Sequence, residues 1–206
     1  YGTLYSKKEL AAISALCRDK HLPLYIDGAR LAYALACSEN DVTLRDLAAL
    51  CDIFYIGGTK CGALLGEAVV IPQPGLIPHF FTIIKQHGAL LAKGRLLGIQ
   101  FDTLFTDGLY ERIGTAAVRY ADAIRRAMAE NGYLPCFPSP TNQSFCIVSE
   151  QQRKALAERV DFSVWEQYDE THSIIRFATS WATWEEDVNA LCRILRKCTA
   201  QEKAAS

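Results

Sequence analysis

The chain has 206 residues, half of them hydrophobic and 22% charged, which is the balance of a folded globular protein and excludes disorder as its main state. Its 22 basic residues against 23 acidic ones leave a formal net charge of −1, so it carries no bulk field for nucleic acid or an anionic membrane. Its longest apolar runs, such as Ala68-Val69-Val70-Ile71, are strand-sized and too short to span a bilayer.

In chain order, Ser6-Lys7-Lys8-Glu9 reads as a capping box, and Leu10, Ile13, Leu16 and Cys17 recur at helical spacing behind it. The spacing predicts a helix from about residue 7 to about residue 20, ended by His21 and Pro23. Leu24-Tyr25-Ile26 reads as a short buried strand that terminates in Asp27-Gly28. A helix is expected near Thr43–Leu50, then a second buried strand, Ile53–Ile56, that runs out into Gly57-Gly58-Thr59-Lys60. A third strand is expected over Gly66–Ile71. Pro78 fits a first helical turn, and the pattern from His79 to about Phe105 is helical with breaks near Gly88 and Gly94. Asp107-Gly108 signals a turn.

A long amphipathic helix follows, marked by Ile113, Ala117, Tyr120 and Ile124 and stopped by Asn131-Gly132. Pro135, Pro138 and Pro140 mark a linker or irregular strand. Then come a strand at Ser144–Val148, a helix near 150–159, strands near 162–168 and 173–178, and a last helix opened by Thr183-Trp184-Glu185-Glu186. Val188, Leu191, Cys192 and Leu195 form its apolar face. Alternating helices and strands make this an α/β protein. A division is expected in the turn before the long helix, giving units 1–106 and 107–206.

The eight cysteines include no C-x-x-C pair and no histidine at zinc spacing. They read as reduced core residues, which points to a reducing compartment, the cytoplasm. Phosphate-loop, dinucleotide-binding and serine-hydrolase signatures are all absent from the sequence.

Taken alone, Asp27 reads as a turn aspartate and Lys60 as a loop lysine. Together they lie at the carboxyl ends of two strands joined by one helical crossover, where ligands of α/β sheets bind. An aspartate and a lysine so placed suit pyridoxal phosphate. A desolvated lysine amine forms a Schiff base, and an aspartate keeps the pyridine nitrogen protonated so that the ring withdraws electrons. Arg30, three residues beyond Asp27, is within reach of the same ring's phenolic oxygen.

Three stretches carry a family resemblance: Leu24-Tyr25-Ile26-Asp27-Gly28-Ala29-Arg30-Leu31, Asp52-Ile53-Phe54-Tyr55-Ile56-Gly57-Gly58-Thr59-Lys60, and Ile175-Arg176-Phe177-Ala178-Thr179-Ser180-Trp181-Ala182-Thr183. They resemble the threonine aldolase and β-eliminating lyase branch of the pyridoxal-phosphate enzymes, which have the aspartate aminotransferase fold. The resemblance covers residue 1 to about 197. It implies a mostly parallel sheet in a partial cofactor-binding large domain, followed by a smaller α/β domain. By the same resemblance Asp27 binds the pyridine nitrogen, Arg30 contacts the ring oxygen, and Lys60 bonds to the cofactor. Thr59, where the family usually has serine, keeps a hydroxyl for the phosphate, and Arg176 takes the substrate α-carboxylate as a bidentate pair. One of Lys85, Lys93 or Arg95 is expected to reach the phosphate.

The implied substrate is a β-hydroxy-α-amino acid such as threonine, cleaved to glycine and an aldehyde, in a homodimer or homotetramer that binds neither nucleic acid nor membrane. β-Elimination and transamination remain open on the same cofactor. A non-catalytic α/β fragment or binding module is the reading from another class, and a cysteine or metal site around Cys61 is a distant one. The family's phosphate-cradling loop and ring-stacking residue, often histidine, precede the position where this chain begins. His21, His79, His87 and His172 are poor substitutes. The expectation is therefore a carboxy-terminal portion of a longer enzyme.

Overall fold

The structure is a computed structural model that describes the backbone of residues 1–205 and the side chains of residues 1–199. The chain divides into two compact units, one of Tyr5–Ile113 and one of Tyr1–Leu4 with the residues from Gly114 onward.

The first unit opens with helix α1, Lys7–Asp19, capped by the predicted box: Ser6 Oγ accepts from Glu9 N at 3.3 Å, and Glu9 Oε2 accepts from Ser6 N at 2.8 Å. Strand β1, Tyr25–Ile26, is followed by short helices α2, Leu31–Leu35, and α3, Leu44–Leu50, and then by strand β2, Ile53–Ile56. Thr43 and Asp46 cap α3 reciprocally, and Lys7 Nζ reaches Asp46 at 2.6 Å, tying the starts of α1 and α3 together. Asp52 Oδ2 accepts from Leu24 N at 2.7 Å just ahead of the paired strands. A turn of 3₁₀ helix, Thr59–Cys61, leads to strand β3, Ala68–Val70.

The sheet has the order β1-β2-β3. β1 and β2 are parallel, with Tyr25 opposite Ile53 and Ile26 opposite Phe54; β3 is antiparallel to β2, with Ile56 opposite Ala68. Tyr33, Leu47, Phe54 and Cys61 are buried in this unit. Full burial of a side chain such as Leu47 or Phe54 stabilises the fold by roughly 1.5–3 kcal/mol. The helical stretch expected from His79 is interrupted where its glycines stand. Helix α4, Phe80–Gln86, ends before Gly88, whose φ is +69°, and helix α5, Arg95–Phe105, starts after Gly94.

Helix α6, Leu109–Glu130, begins in the first unit and continues into the second. There an antiparallel sheet of order β4-β5-β7-β6 is built from β4 (Leu134–Pro135), β5 (Gln143–Ser149), β6 (Ser163–Gln167) and β7 (His172–Ala178). Helix α7, Glu150–Ala157, lies between β5 and β6 in sequence, and α8, Glu185–Ala205, closes the chain. Ile124, Met128, Cys146, Val148, Leu156, Ile175, Val188 and Leu195 form one core between these helices and one sheet face. Alternation in β5 and β7 puts Phe145 and Arg176, which are opposite each other, on the other face. No disulfide joins any of the cysteines, and no helix among the described residues is long and apolar enough to cross a membrane.

Candidate active site

Strands β1 and β2 are adjacent and parallel, so their carboxyl ends bring Asp27 and the Gly57–Lys60 turn to one edge of the sheet. The backbones there are in close contact. Gly28 O accepts from both Leu31 N and Gly57 N, each at 3.0 Å. A Cβ on Gly57 would overlap the Ala29 carbonyl oxygen, lying 2.7 Å from its carbon and 2.8 Å from Gly28 O. This is why the strand ends carry glycine: no side chain fits between the two turns.

Asp27 is exposed, and its Oδ1 accepts hydrogen bonds from the Tyr55 hydroxyl and, at 2.9 Å, from Ala29 N. Oδ2 accepts none among the described residues. The Tyr55 hydroxyl, then the Ala29 amide, hold the Asp27 carboxyl below its ordinary range, and the positive charges of Lys60 and Arg30 add to this. Burial, then the Asp27 carboxylate, push the Tyr55 hydroxyl up to about 12, so it stays a donor throughout the neutral range. Tyr55 lies within Asp52–Lys60, but its partnership with Asp27 depends on the register that sets Phe54 beside Ile26.

Lys60 sits on a backbone held from several sides. The buried Tyr33 hydroxyl donates to its carbonyl. Gly58 O accepts from Cys61 N at 2.8 Å and Ala63 N at 3.0 Å, and the Tyr110 hydroxyl donates to Gly57 O at 3.1 Å. The Lys60 ammonium itself has no hydrogen bond or ion pair among the described residues. Next to it, Cys61 is fully buried, and burial pushes its thiol up, away from the reactive thiolate. Thr59 Oγ donates to Glu67 Oε1 at 2.8 Å. Arg30 is half-buried at the start of α2, its charge acting on Asp27. Lys85, Lys93 and Arg95 are exposed, on α4, in the turn before α5, and at the first residue of α5.

Arg176, on β7 of the second unit, is held by three neighbours. Its Nη1 donates to Gln143 Oε1 at 3.1 Å, its Nη2 donates to Ser163 Oγ at 3.2 Å, and its Cζ lies 4.8 Å from the Trp165 ring centroid. Its Nε, shielded from solvent, has no acceptor among the described residues. Tyr1, Phe137, Phe145 and Trp165 pack edge-on or tilted against one another on the same sheet face. Gln143, Ser163 and Trp165 carry no sequence signal as partners of Arg176; strand pairing alone brings them together.

Asp27 and Lys60 fit a pyridoxal ring. The one presents an ionised carboxylate with a free oxygen for a protonated ring nitrogen, and the other an uncommitted amine for an aldehyde carbon. The class of protein comes from the sequence comparison. The chain matches the beta-eliminating lyase family over residues 1–160, and it belongs to that family. Beta-eliminating lyases and threonine aldolases are pyridoxal-phosphate enzymes.

Among its relatives, the low specificity L-threonine aldolase of Pseudomonas aeruginosa is 34% identical over 200 residues, covering 95% of this chain and 56% of that protein. The solved threonine aldolase of Leishmania major superposes with a TM-score of 0.93 at 40% identity, over 96% of this chain and 58% of that one. A putative L-allo-threonine aldolase from Listeria monocytogenes, 18% identical with a TM-score of 0.69, shares the fold over 96% of this chain and 58% of that one. The chain thus spans a little over half the length of the relatives it matches.

Proposed function

We propose that this chain belongs to a pyridoxal-phosphate lyase that cleaves the Cα–Cβ bond of a β-hydroxy-α-amino acid, such as threonine, to glycine and an aldehyde. The observation that carries the reading is the pairing of a locked, ionised Asp27 with an uncommitted Lys60 amine at adjacent parallel strand ends. The similarity to proteins named threonine aldolase supports this reaction over β-elimination or transamination.

Pyridoxal phosphate supplies an electron sink conjugated to the substrate nitrogen. This chain's residues would hold and tune it. Asp27 Oδ2 would accept from the ring N–H, while Tyr55 and Ala29 fix the carboxylate's orientation. Arg30 would contact the phenolic oxygen, and the Lys60 amine would be the attachment point. Arg176 would anchor the α-carboxylate; its planar guanidinium, already held by Gln143, Ser163 and Trp165, would lose little entropy on binding.

We read the enzyme as a cytoplasmic homodimer or homotetramer acting on a free amino acid. Two features support this: the cysteines are without disulfides, and Leu96 and Ile99 of α5 expose large apolar side chains.

Borohydride reduction in the presence of pyridoxal phosphate, followed by peptide mapping, tests the assignment. A label on Lys60, together with glycine and acetaldehyde released from threonine by the full-length protein, is expected. A label on Lys85 or Lys93 instead would overturn the role of Lys60. 2-Oxobutyrate and ammonia in place of glycine and acetaldehyde would move the reaction to β-elimination.

A further inference from the structure

Glu67 has no role in the site as described so far, yet both of its carboxylate oxygens are bound by the segment that leads into Lys60. Gly58 N donates to Oε2, and Thr59 Oγ donates to Oε1 at 2.8 Å. Strand pairing makes this possible. Ile56 lies opposite Ala68 in the antiparallel β2–β3 pair, so the next residues outward are Gly57 and Glu67. From there the Glu67 side chain spans Gly58 and Thr59. On the far side, Tyr33 donates to the Lys60 carbonyl. Lys60 is therefore gripped at its own carbonyl and at the two residues before it.

The contact also decides what Thr59 can do. A threonine hydroxyl has a single proton to donate. Here that proton goes to Glu67, and a hydroxyl so engaged has none left to give to a phosphate oxygen. Charge points the same way, because a phosphate placed on Thr59 would sit against the Glu67 carboxylate.

We propose that Glu67 is a positioning residue for Lys60: it clamps Gly58 and Thr59, sets the direction in which the lysine leaves the turn, and makes Thr59 a link in that clamp rather than a phosphate ligand. The inference rests on reading Lys60 as the lysine that bonds to pyridoxal phosphate. It predicts that Glu67 and Thr59 act as one unit and that their effect is blind to the phosphate group.

The test uses the full-length protein with Glu67→Ala, Glu67→Gln, Thr59→Val and the double variant Glu67→Ala/Thr59→Val. Three quantities are measured on each: affinity for pyridoxal phosphate, affinity for phosphate-free pyridoxal, and the unfolding midpoint without either. Glu67→Ala is expected to weaken both ligands about ten-fold or more, the scale of losing charge-assisted hydrogen bonds. The double variant is expected to be no worse than Glu67→Ala alone. Glu67→Gln keeps an acceptor for Gly58 N and is expected to recover part of the loss; it also serves if Glu67→Ala does not fold.

Three results would overturn the proposal. One is a lowered unfolding midpoint with unchanged affinities, which makes Glu67 a simple turn cap. Another is additive losses in the double variant. The third is a Thr59→Val loss seen with pyridoxal phosphate but absent with pyridoxal, which makes Thr59 a phosphate ligand. A wild-type protein that takes no borohydride label on Lys60 removes instead the reading on which the proposal stands.

Discussion

Gly57→Ala is the sharpest test of how the strand ends are built. The substitution adds one methyl group, and the three nearest atoms it meets all belong to backbone. The new Cβ would overlap the Ala29 carbonyl oxygen and lie 2.7 Å from its carbon and 2.8 Å from Gly28 O. No rotamer change can relieve this, so the two turns must separate. Separation stretches the bond from Gly57 N to Gly28 O, at 3.0 Å, and displaces the Gly57 carbonyl from the buried Tyr110 hydroxyl, at 3.1 Å. Overpacking costs about 1–3 kcal/mol, and a weakened hydrogen bond with a buried partner adds roughly 1 kcal/mol. Together these give about 2–4 kcal/mol, or roughly a thirty- to thousand-fold shift in the unfolding equilibrium.

The displaced turn lies between Asp27 and Lys60, so affinity for pyridoxal phosphate should fall as well. Urea unfolding and a cofactor titration measure the two effects separately. Gly98→Ala is the control. It lies within α5 with nothing within 4 Å of its would-be Cβ, and should stabilise by up to about 1 kcal/mol through helix propensity alone. A Gly57→Ala protein with wild-type stability and affinity would refute the close backbone approach as the reason for glycine there.

Two further outcomes follow from the electrostatics. Tyr55→Phe removes the largest influence holding the Asp27 carboxyl down. It should cost about 1 kcal/mol of cofactor affinity, some five-fold, at this exposed carboxylate, and an unchanged dissociation constant would show that Ala29 N alone suffices. Asp46, which caps α3 and pairs with Lys7, titrates at about 2 instead of 3.8, chiefly through its hydrogen bond with Lys7. A carboxyl lowered on folding stabilises fully above its unfolded value and loses that contribution as pH falls through the folded one. Stability should therefore decline between about pH 4 and pH 2, and Asp46→Asn should show a shallower decline in urea midpoint over that window.

Much of the first unit was legible because its signals are local. Ser6 and Glu9 are three residues apart and cap α1 whatever lies beyond them, and the short apolar runs ending in Asp27-Gly28 and Gly57-Gly58 read as strands from their own residues. The glycine breaks at 88 and 94 also acted where they stood, since a positive φ or a weakened helix is decided within a few residues. Helix α2 went unforeseen for the same reason: its five residues carry no side-chain cap.

The sequence by itself determined which residue types stand at the strand ends: an aspartate, an arginine and a lysine among glycines. Only tertiary structure decided what they touch. Tyr33 reaches the Lys60 carbonyl across 27 positions, and Tyr55 reaches Asp27 across 28. Gln143 meets Arg176 across 33. None of these pairs has a signature, because partners that distant are set by register, and an apolar run states neither its register nor its direction. β3 shows the point most simply: its residues read as a strand of either sense, and only pairing antiparallel to β2 carries Glu67 back beside Gly58 and Thr59.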